Sequence, residues 1–325
     1  LEEVVIIGAG PCGLSAALEL QKLGFDPLII EKHSIAHSIY LYPTYMQFFS
    51  TPDLLEIGGI PFTTPNEKPS RLEALHYYRN AALRSSVRIQ SYHGVETITR
   101  QEKGSFELML SNRFGATSVI EARYVIVATG YFDYPNLLGI PGEQSSKVSH
   151  YYREAHPYSG TKVAIIGGSN SAIDAAMDLL RAGAHVTIVY RGEGYSPSIK
   201  PWVRPIFESM VNKGRITMLF RSQIVQIDDR TITVRSAEAE HILDNDFVLA
   251  LTGFRPDRGL LLSAGVAMDP ISTAPVHNPA TMETAVPGLF IAGVAASGSD
   301  ANEVFIETGR LHGGMIAQRI AEARL

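Results

Sequence analysis

Four apolar residues, "VVII" over 4–7, open a pattern that recurs later in the chain. A glycine-rich turn follows, then an amphipathic run over 11–23, Gly24, and a second apolar run over 27–31. Short continuous apolar runs predict buried strands, and an i, i+3, i+4 spacing predicts a helix. The order returns from position 161. There "KVAIIGGSNSAIDAAMDLLRAGAHVTIVYR" predicts strand, turn, helix, Gly183, and a strand ending at Arg191. Each copy then continues alike. "SFELMLSNRFGATSVIEARYVIVATG" alternates apolar and polar through a turn at Gly115 and ends in a buried strand before Thr129 and Gly130. "RTITVRSAEAEHILDNDFVLALTG" ends in the same way before Thr252 and Gly253.

Two copies of a βαβ-plus-meander unit indicate duplication of a whole domain. Parallel strands alternating with helices predict an α/β fold with two Rossmann-like dinucleotide-binding domains. Segments 131–143 and 253–259, rich in Pro, Gly and Asp, are the expected hinges. The tail holds one more apolar strand, "GLFIAG" over 288–293, and a long helix expected over 302–323. It is too short for a third domain. The expected division is therefore 1–142 with 253–325 as one domain, and 143–252 as a second domain inserted in it.

Composition narrows the function classes. The chain has 325 residues, 45% of them hydrophobic, and a net charge of −5. That charge gives no reason to expect nucleic acid as a partner. No apolar run reaches the roughly 20 residues that span a bilayer. The opening residues carry no leader pattern. Cys12 is the single cysteine, which excludes an internal disulfide and any multi-cysteine metal site. A reducing, cytoplasmic setting is the expectation.

The first turn, Gly8-Ala9-Gly10-Pro11-Cys12-Gly13, is a complete G-x-G-x-x-G. Its glycines serve a tight turn, close approach of backbone to pyrophosphate, and close helix–strand packing. Glu31 ends the next strand, where an acid binds ribose hydroxyls. The second turn is degenerate: Gly167 and Gly168 are followed by Ser169, Asn170, Ser171 and Ala172. Arg191 is read as the cation standing where the first copy has Glu31, as a 2′-phosphate requires. Lys200 is a second candidate cation. FAD in the first site and NADPH in the second is the economical pairing. The residues expected to line the FAD site are Gly8, Gly10, Pro11, Cys12, Gly13, Glu31, Lys32, Ser38, Gln47, Val95, Thr129, Gly130, Gly293 and Val294. Those expected for NADPH are Gly167, Gly168, Ser169, Asn170, Ser171, Arg191 and Lys200. The aromatic run "SIYLYPTYMQFF" over 38–49 is expected to wall the flavin. The last helix is expected to present its N-terminus to it. Gly309, Gly313 and Gly314 in that helix suggest close packing against sheet or cofactor.

These motifs carry a resemblance. "VIVATG", "FVLALTG" and "GLFIAG" resemble the low-molecular-weight thioredoxin-reductase class of flavoproteins. "GPCGLSAA", "HSIYLYP", "ATGYFDYPN", "YREAHPY", "GGSNSAIDAA", "VYRGEGYSPSIKPW" and "ANEVFIETGRLHGG" resemble the YpdA-like bacillithiol-disulfide reductase family. The resemblance spans positions 8–314. It implies FAD, NADPH, a homo-oligomer (dimer or tetramer), and reduction of the disulfide of a small thiol. It also departs from the wider class. Where thioredoxin reductases carry C-x-x-C, this chain reads "VSHYYREAHPYSG" over 148–160, so no internal dithiol relay exists. Val294 stands where many disulfide reductases place an Asp near the ribityl chain.

Three roles remain open for Cys12: a nucleophile, as the resemblance implies, a regulatory thiol, or a small packing residue. For a nucleophile, His312 and Glu307 are the first candidate proton donors. Two other enzyme readings share the cofactors. A flavin monooxygenase would usually add F-x-G-x-x-x-H ahead of the second turn, which is missing here. A ferredoxin or flavodoxin NADP reductase would have no need of Cys12. A sensor with structural FAD would bind nucleotide without turnover.

Overall fold

The computed structural model describes residues 1–299 and 303–324 and divides into two units. The first comprises Leu1–Tyr40, Met46–Tyr134 and the chain from Phe254 onward; the second comprises Leu41–Tyr45 and Pro135–Gly253.

The first unit begins with β1 (Glu2–Ile7), α1 (Pro11–Lys22) and β2 (Leu28–Glu31). Two short helices follow, α2 (His37–Leu41) and α3 (Pro52–Leu55), then α4 (Arg71–Arg84). Ser70 and Glu73 form a reciprocal capping box that starts α4. Tyr77 and Tyr78 of α4 donate to the carbonyls of Ile60 and Leu55 at 2.7 and 2.9 Å. The strands β3 (Arg88–Ser91), β4 (His93–Arg100), β5 (Phe106–Asn112) and β6 (Thr117–Val127) complete this part.

The second unit holds β7 (Val148–Ser149), β8 (Lys162–Ile166), α5 (Asn170–Arg181), β9 (His185–Val189), α6 (Arg204–Asn212) and β10 (Ile216–Leu219). It continues with β11 (Gln223–Ile227), β12 (Thr231–Arg235), β13 (Glu240–Asp244) and β14 (Phe247–Ala250). The chain then returns to the first unit with α7 (Gly259–Ser263), β15 (Leu289–Ile291), α8 (Ile306–Gly309) and α9 (His312–Glu322).

Among the described residues, seven strands of the first unit form one sheet in the order β3-β2-β1-β6-β5-β4, with β15 also paired to β6. β1 lies parallel to β2 and β6, and β15 parallel to β6. β4, β5 and the first half of β6 are the antiparallel meander. In the second unit the parallel sheet runs β10-β9-β8-β14-β7, and the meander β11-β12-β13 is a separate sheet. The two copies differ in one respect. In the first, β6 is a single 11-residue strand serving both meander and parallel sheet. In the second, the equivalent run breaks after Asp244. Asn245 is buried there, and its amide donates to Lys162 O and Phe247 O.

The long helix expected over 302–323 is two helices; Asn302 lies outside the described residues. Gly309 ends α8 because this turn is pressed against Gly293: a Cβ on Gly309 would stand 2.9 Å from Gly293 Cα. α9 packs on α1 where a Cβ at Gly313 would lie 2.7 Å from Ala16 Cα. Gly314 faces open space, so close packing holds at Gly309 and Gly313 only. The aromatic run over 38–49 is divided between the units, and Tyr40, Tyr45 and Phe49 are exposed.

Candidate functional site: two nucleotide cradles

In the first unit, β2 and β6 flank β1, so the winding reverses between β1 and β6 at their carboxyl ends. The Gly8-to-Gly13 turn sits there. Gly8 has φ +109°, and a Cβ on it would stand 2.5 Å from Ala128 O. A Cβ on Gly13 would overlap Gly8 O outright. Gly10 is different: a Cβ there meets nothing within 4 Å, so its face is open. No side chain caps α1 and its first turn carries no acid. Free N–H groups and the helix dipole thus converge on open space, as an anion requires.

Glu31 lies beside this turn and is 8% exposed. Its Oε2 accepts from Ala9 N and its Oε1 from His33 N, both at 2.7 Å. Burial raises its pKa above the ordinary carboxylate value, while the two backbone donors oppose that shift. Each oxygen keeps a lone pair for a hydroxyl donor. The set fits the pyrophosphate and ribose of a dinucleotide.

The other first-unit candidates are distributed as follows. Thr129 and Gly130 follow β6, with Thr129 Cα near Gly8. Lys32 pairs with Asp133 at 3.8 Å and lies over the Tyr134 ring. Ser38 is half-buried on α2. Gln47 is exposed and bridges to Ser70 through backbone. Val95 sits on β4 opposite Leu110. Gly293 and Val294 open a 3-10 turn directly after β15.

The sulfur of Cys12 is wedged between Gly293 and Gly309. Cβ atoms built on them would stand 2.8 and 2.9 Å from Sγ. Part of the residue is accessible, but the sulfur's surroundings are dense. Burial pushes the thiol up to about 12. The resting side chain is a protonated thiol at neutral pH.

His312 reaches the same glycine from α9. Its Nδ1 accepts from Gly293 N at 3.1 Å, which places the ring proton on Nε2. Burial, then nearby His277, lowers its pKa below 6.5. Cys12, Gly293, Gly309 and His312 therefore form one cluster. Glu307 is tied instead to Ser50, whose hydroxyl donates to its carboxylate. α9 begins at His312, and that residue engages Gly293.

The His312 hydrogen bond has a pH signature. The unfolded imidazole protonates through about 6.5, whereas the folded one resists. The unfolded state then binds the extra proton, so this contribution is full above 6.5 and lost as pH falls below it. The slope should be less than about 1.4 kcal/mol per pH unit, because the ring is partly exposed and screened. Denaturant unfolding of wild type and His312→Gln between pH 5.5 and 7.5 checks this (roughly one unit either side of the ordinary His value). The stability difference between the two should shrink toward the acid end.

In the second unit, Gly167 has φ +139°, and a Cβ on it would stand 2.5 Å from Leu251 O, repeating Gly8 against Ala128. α5 has no side-chain cap and no acid in its first turn. This end also fits a phosphate. Gly167 N donates to Val189 O, as Gly8 N does to Ile30 O. By that equivalence Tyr190, and not Arg191, stands in the place of Glu31. Arg191 follows one residue later and is exposed. The expected position of the cation is thus corrected by one residue, because β9 ends at Val189.

Asn170 and Lys200 hold the 196–200 loop over the start of α5. Asn170 donates to Ser198 O at 2.8 Å and accepts from Lys200 N at 3.0 Å. Lys200 Nζ pairs with Asp174 at 2.7 Å, so its charge is matched within the unit. Ser169 receives a weak hydrogen bond from Ser198 Oγ at 3.4 Å, and Ser171 is exposed. Sequence reasoning missed Tyr190; the adjoining glycines Gly168 and Gly192 were the available signal.

Known proteins bear on both cradles. The pattern of the family described as pyridine nucleotide-disulphide oxidoreductase matches residues 5–293. Over 322 residues the chain is 48% identical to a Bacillus subtilis protein named bacilliredoxin reductase Bdr, covering 99% of this chain and 98% of that one. The structure is similar to the bacillithiol disulfide reductase Bdr (YpdA) of Bacillus cereus, with TM-score 0.96, 46% identity and 99% of each chain covered. It is also similar to the Staphylococcus aureus protein of that name, with TM-score 0.93, 43% identity, and coverage of 100% of this chain and 99% of that one.

Proposed function

From a chain that belongs to the pyridine nucleotide-disulphide oxidoreductase family, we propose an NADPH-dependent FAD flavoprotein that reduces the disulfide of a small thiol, bacillithiol disulfide above others. The observation that carries this is likeness over the full length to bacillithiol disulfide reductases of two species. The balance is one disulfide, one NADPH and one proton giving two thiols and NADP⁺. FAD held in the first cradle would supply two-electron chemistry between NADPH and the disulfide.

The chain's own residues supply binding and proton handling. The Gly10 face and the α1 N-terminus hold the FAD pyrophosphate, and Glu31 holds a ribose. With no second cysteine, the disulfide must be opened without an internal dithiol. Cys12 is the one thiol the chain offers, and we assign it the mixed disulfide. Its Sγ would bond to one substrate sulfur as the other leaves with a proton. Two electrons and two protons, together the equivalent of the NADPH hydride and one solvent proton, would then break the mixed disulfide, restoring the Cys12 thiol and releasing the second substrate thiol. The raised thiol pKa and the wedge between Gly293 and Gly309 oppose this step in the resting state. Proton removal must therefore come first. His312, a neutral ring on the same glycine with its proton on Nε2, is the candidate donor of a proton to the departing thiolate.

The lone cysteine supports a reducing, cytoplasmic setting, and no helix among the described residues is long and apolar enough to cross a membrane. A homo-oligomer, dimer or tetramer, belongs to the same reading, and light scattering of the holoenzyme tests it.

The deciding assay is anaerobic NADPH consumption by FAD-loaded protein with bacillithiol disulfide, beside glutathione disulfide, cystine and an oxidised bacilliredoxin. The expected result is selective turnover with bacillithiol disulfide, lost by about a hundredfold or more in Cys12→Ala at unchanged FAD content. Unchanged turnover in that variant would leave Cys12 as the filler between two glycines. No turnover with any disulfide would sink the reductase reading.

A further inference from the structure

In the second unit the ring of Tyr190 lies across two glycines. A Cβ on Gly168 would stand 2.6 Å from Tyr190 Cγ and Cδ2. A Cβ on Gly192 would overlap Cε1 at the far side of the same ring and stand 2.9 Å from its hydroxyl. Both positions must be glycine for the ring to lie there. The backbone is fixed as well: Tyr190 N donates to Leu219 O at 2.9 Å, and its carbonyl accepts from Ser222 N at 3.1 Å. The hydrogen-bond register equates this residue with Glu31, and Gly168 with Ala9. So the same pair of positions is solved twice. In the first unit a buried carboxylate accepts from Ala9 N; in the second a neutral aromatic ring lies on Gly168.

We propose that Tyr190 is a coenzyme-specificity residue of the second cradle, selecting a 2′-phosphorylated dinucleotide over a free-ribose one. This rests on the assignment of a nicotinamide dinucleotide to that cradle. A carboxylate there accepts from ribose hydroxyls and repels a 2′-phosphate. The phenol removes the charge and offers a donor. The neighbouring exposed Arg191 can then pair with the dianion with no carboxylate at position 190 to oppose it. Gly168 is the seat on which the Tyr190 ring lies, since any side chain there would meet the ring.

The test is equilibrium binding of NADP⁺ and NAD⁺ to the FAD-loaded protein, read by calorimetry and by fluorescence of the single tryptophan, Trp202. Neither readout involves a disulfide, so failure of the disulfide assay and failure here are separable. Wild type should prefer NADP⁺ by about tenfold or more. Tyr190→Glu should lower NADP⁺ affinity by about tenfold or more and raise NAD⁺ affinity, reversing the ratio. Tyr190→Phe should keep most of the preference, and Arg191→Ala should weaken NADP⁺ alone. Gly168→Ala, which displaces the ring, should compress the ratio. A ratio that stays within about twofold of wild type in Tyr190→Glu overturns the proposal. Should Tyr190→Glu fail to fold, Tyr190→Gln and Gly168→Ala read the same ratio, and an unchanged ratio in both overturns it equally. Wild type that binds neither coenzyme overturns the nucleotide assignment, and this proposal with it.

Discussion

A Gly13→Val protein will purify colourless and melt early. The β-carbon would overlap the carbonyl oxygen of Gly8, with that carbonyl carbon 3.2 Å away and the Ala128 methyl at 3.4 Å. The first two are backbone atoms of the same tight turn, so nothing flexible can yield. Overpacking a rigid site costs about 3 kcal/mol or more. At roughly 2–4 °C per kcal/mol for a domain of this size, the melting temperature should fall by about 6–12 °C. The disturbance also moves Gly8 and the first turn of α1, so flavin absorbance should be lost. Gly10→Ala is the control. Space around Gly10 is open, so the apo protein should keep its melting temperature. A methyl group in that space would nevertheless obstruct a phosphate, and FAD should bind about tenfold or more weakly. Full flavin content in Gly13→Val would refute the role given to the turn.

Glu31→Ala should be nearly as severe, for a different reason. It strips the acceptor from two backbone donors, Ala9 N and His33 N, and Ala9 is fully buried. Each orphaned donor costs about 1–3 kcal/mol. A loss of about 2–6 kcal/mol in apo stability is expected, before any loss of ribose binding. Glu31→Gln is no rescue. The two carboxylate oxygens each face an N–H, and an amide can satisfy only one of them. Its NH₂ would confront the other donor. Urea unfolding of apo protein, with FAD titration alongside, separates the two contributions. A Glu31→Gln protein as stable as wild type would show that the carboxylate is dispensable to the turn.

The parts legible in the sequence are those written in local periodicity. The apolar runs at 4–7 and 27–31 became β1 and β2 because every residue of their inner stretch is buried in a parallel sheet. Gly8 and Gly13 were readable as constraints because the turn leaves no room for a side chain. What escaped depends on register or on distant partners. Arg191 looked equivalent to Glu31 by count, yet the bonds from Gly8 and Gly167 put Tyr190 there. The final helix looked continuous by pattern, yet Gly309 is held by Gly293 and by Cys12, which lies far away in sequence. Cys12 itself could be seen as the odd residue of the fingerprint. Its wedge and its raised pKa come from segments whose approach no short window encodes.

Residues 41–45 belong to the second unit although both their neighbours in sequence belong to the first. Thr44 N donates to Arg153 O at 3.0 Å, and Tyr45 joins Tyr152 and Asp178 in a hydrogen-bonded group. The chain therefore passes between units after Tyr40, Tyr45, Tyr134 and Gly253. A recombinant made by exchanging only 135–253 with a relative would sever a five-residue graft from its bed. Chimeras built to transplant coenzyme preference must carry 41–45 along with the insert. Expressed alone, 135–253 would present Tyr152 and Asp178 without the phenol that meets them. Modularity in this protein thus follows three-dimensional seams that cut the gene into five segments, not three.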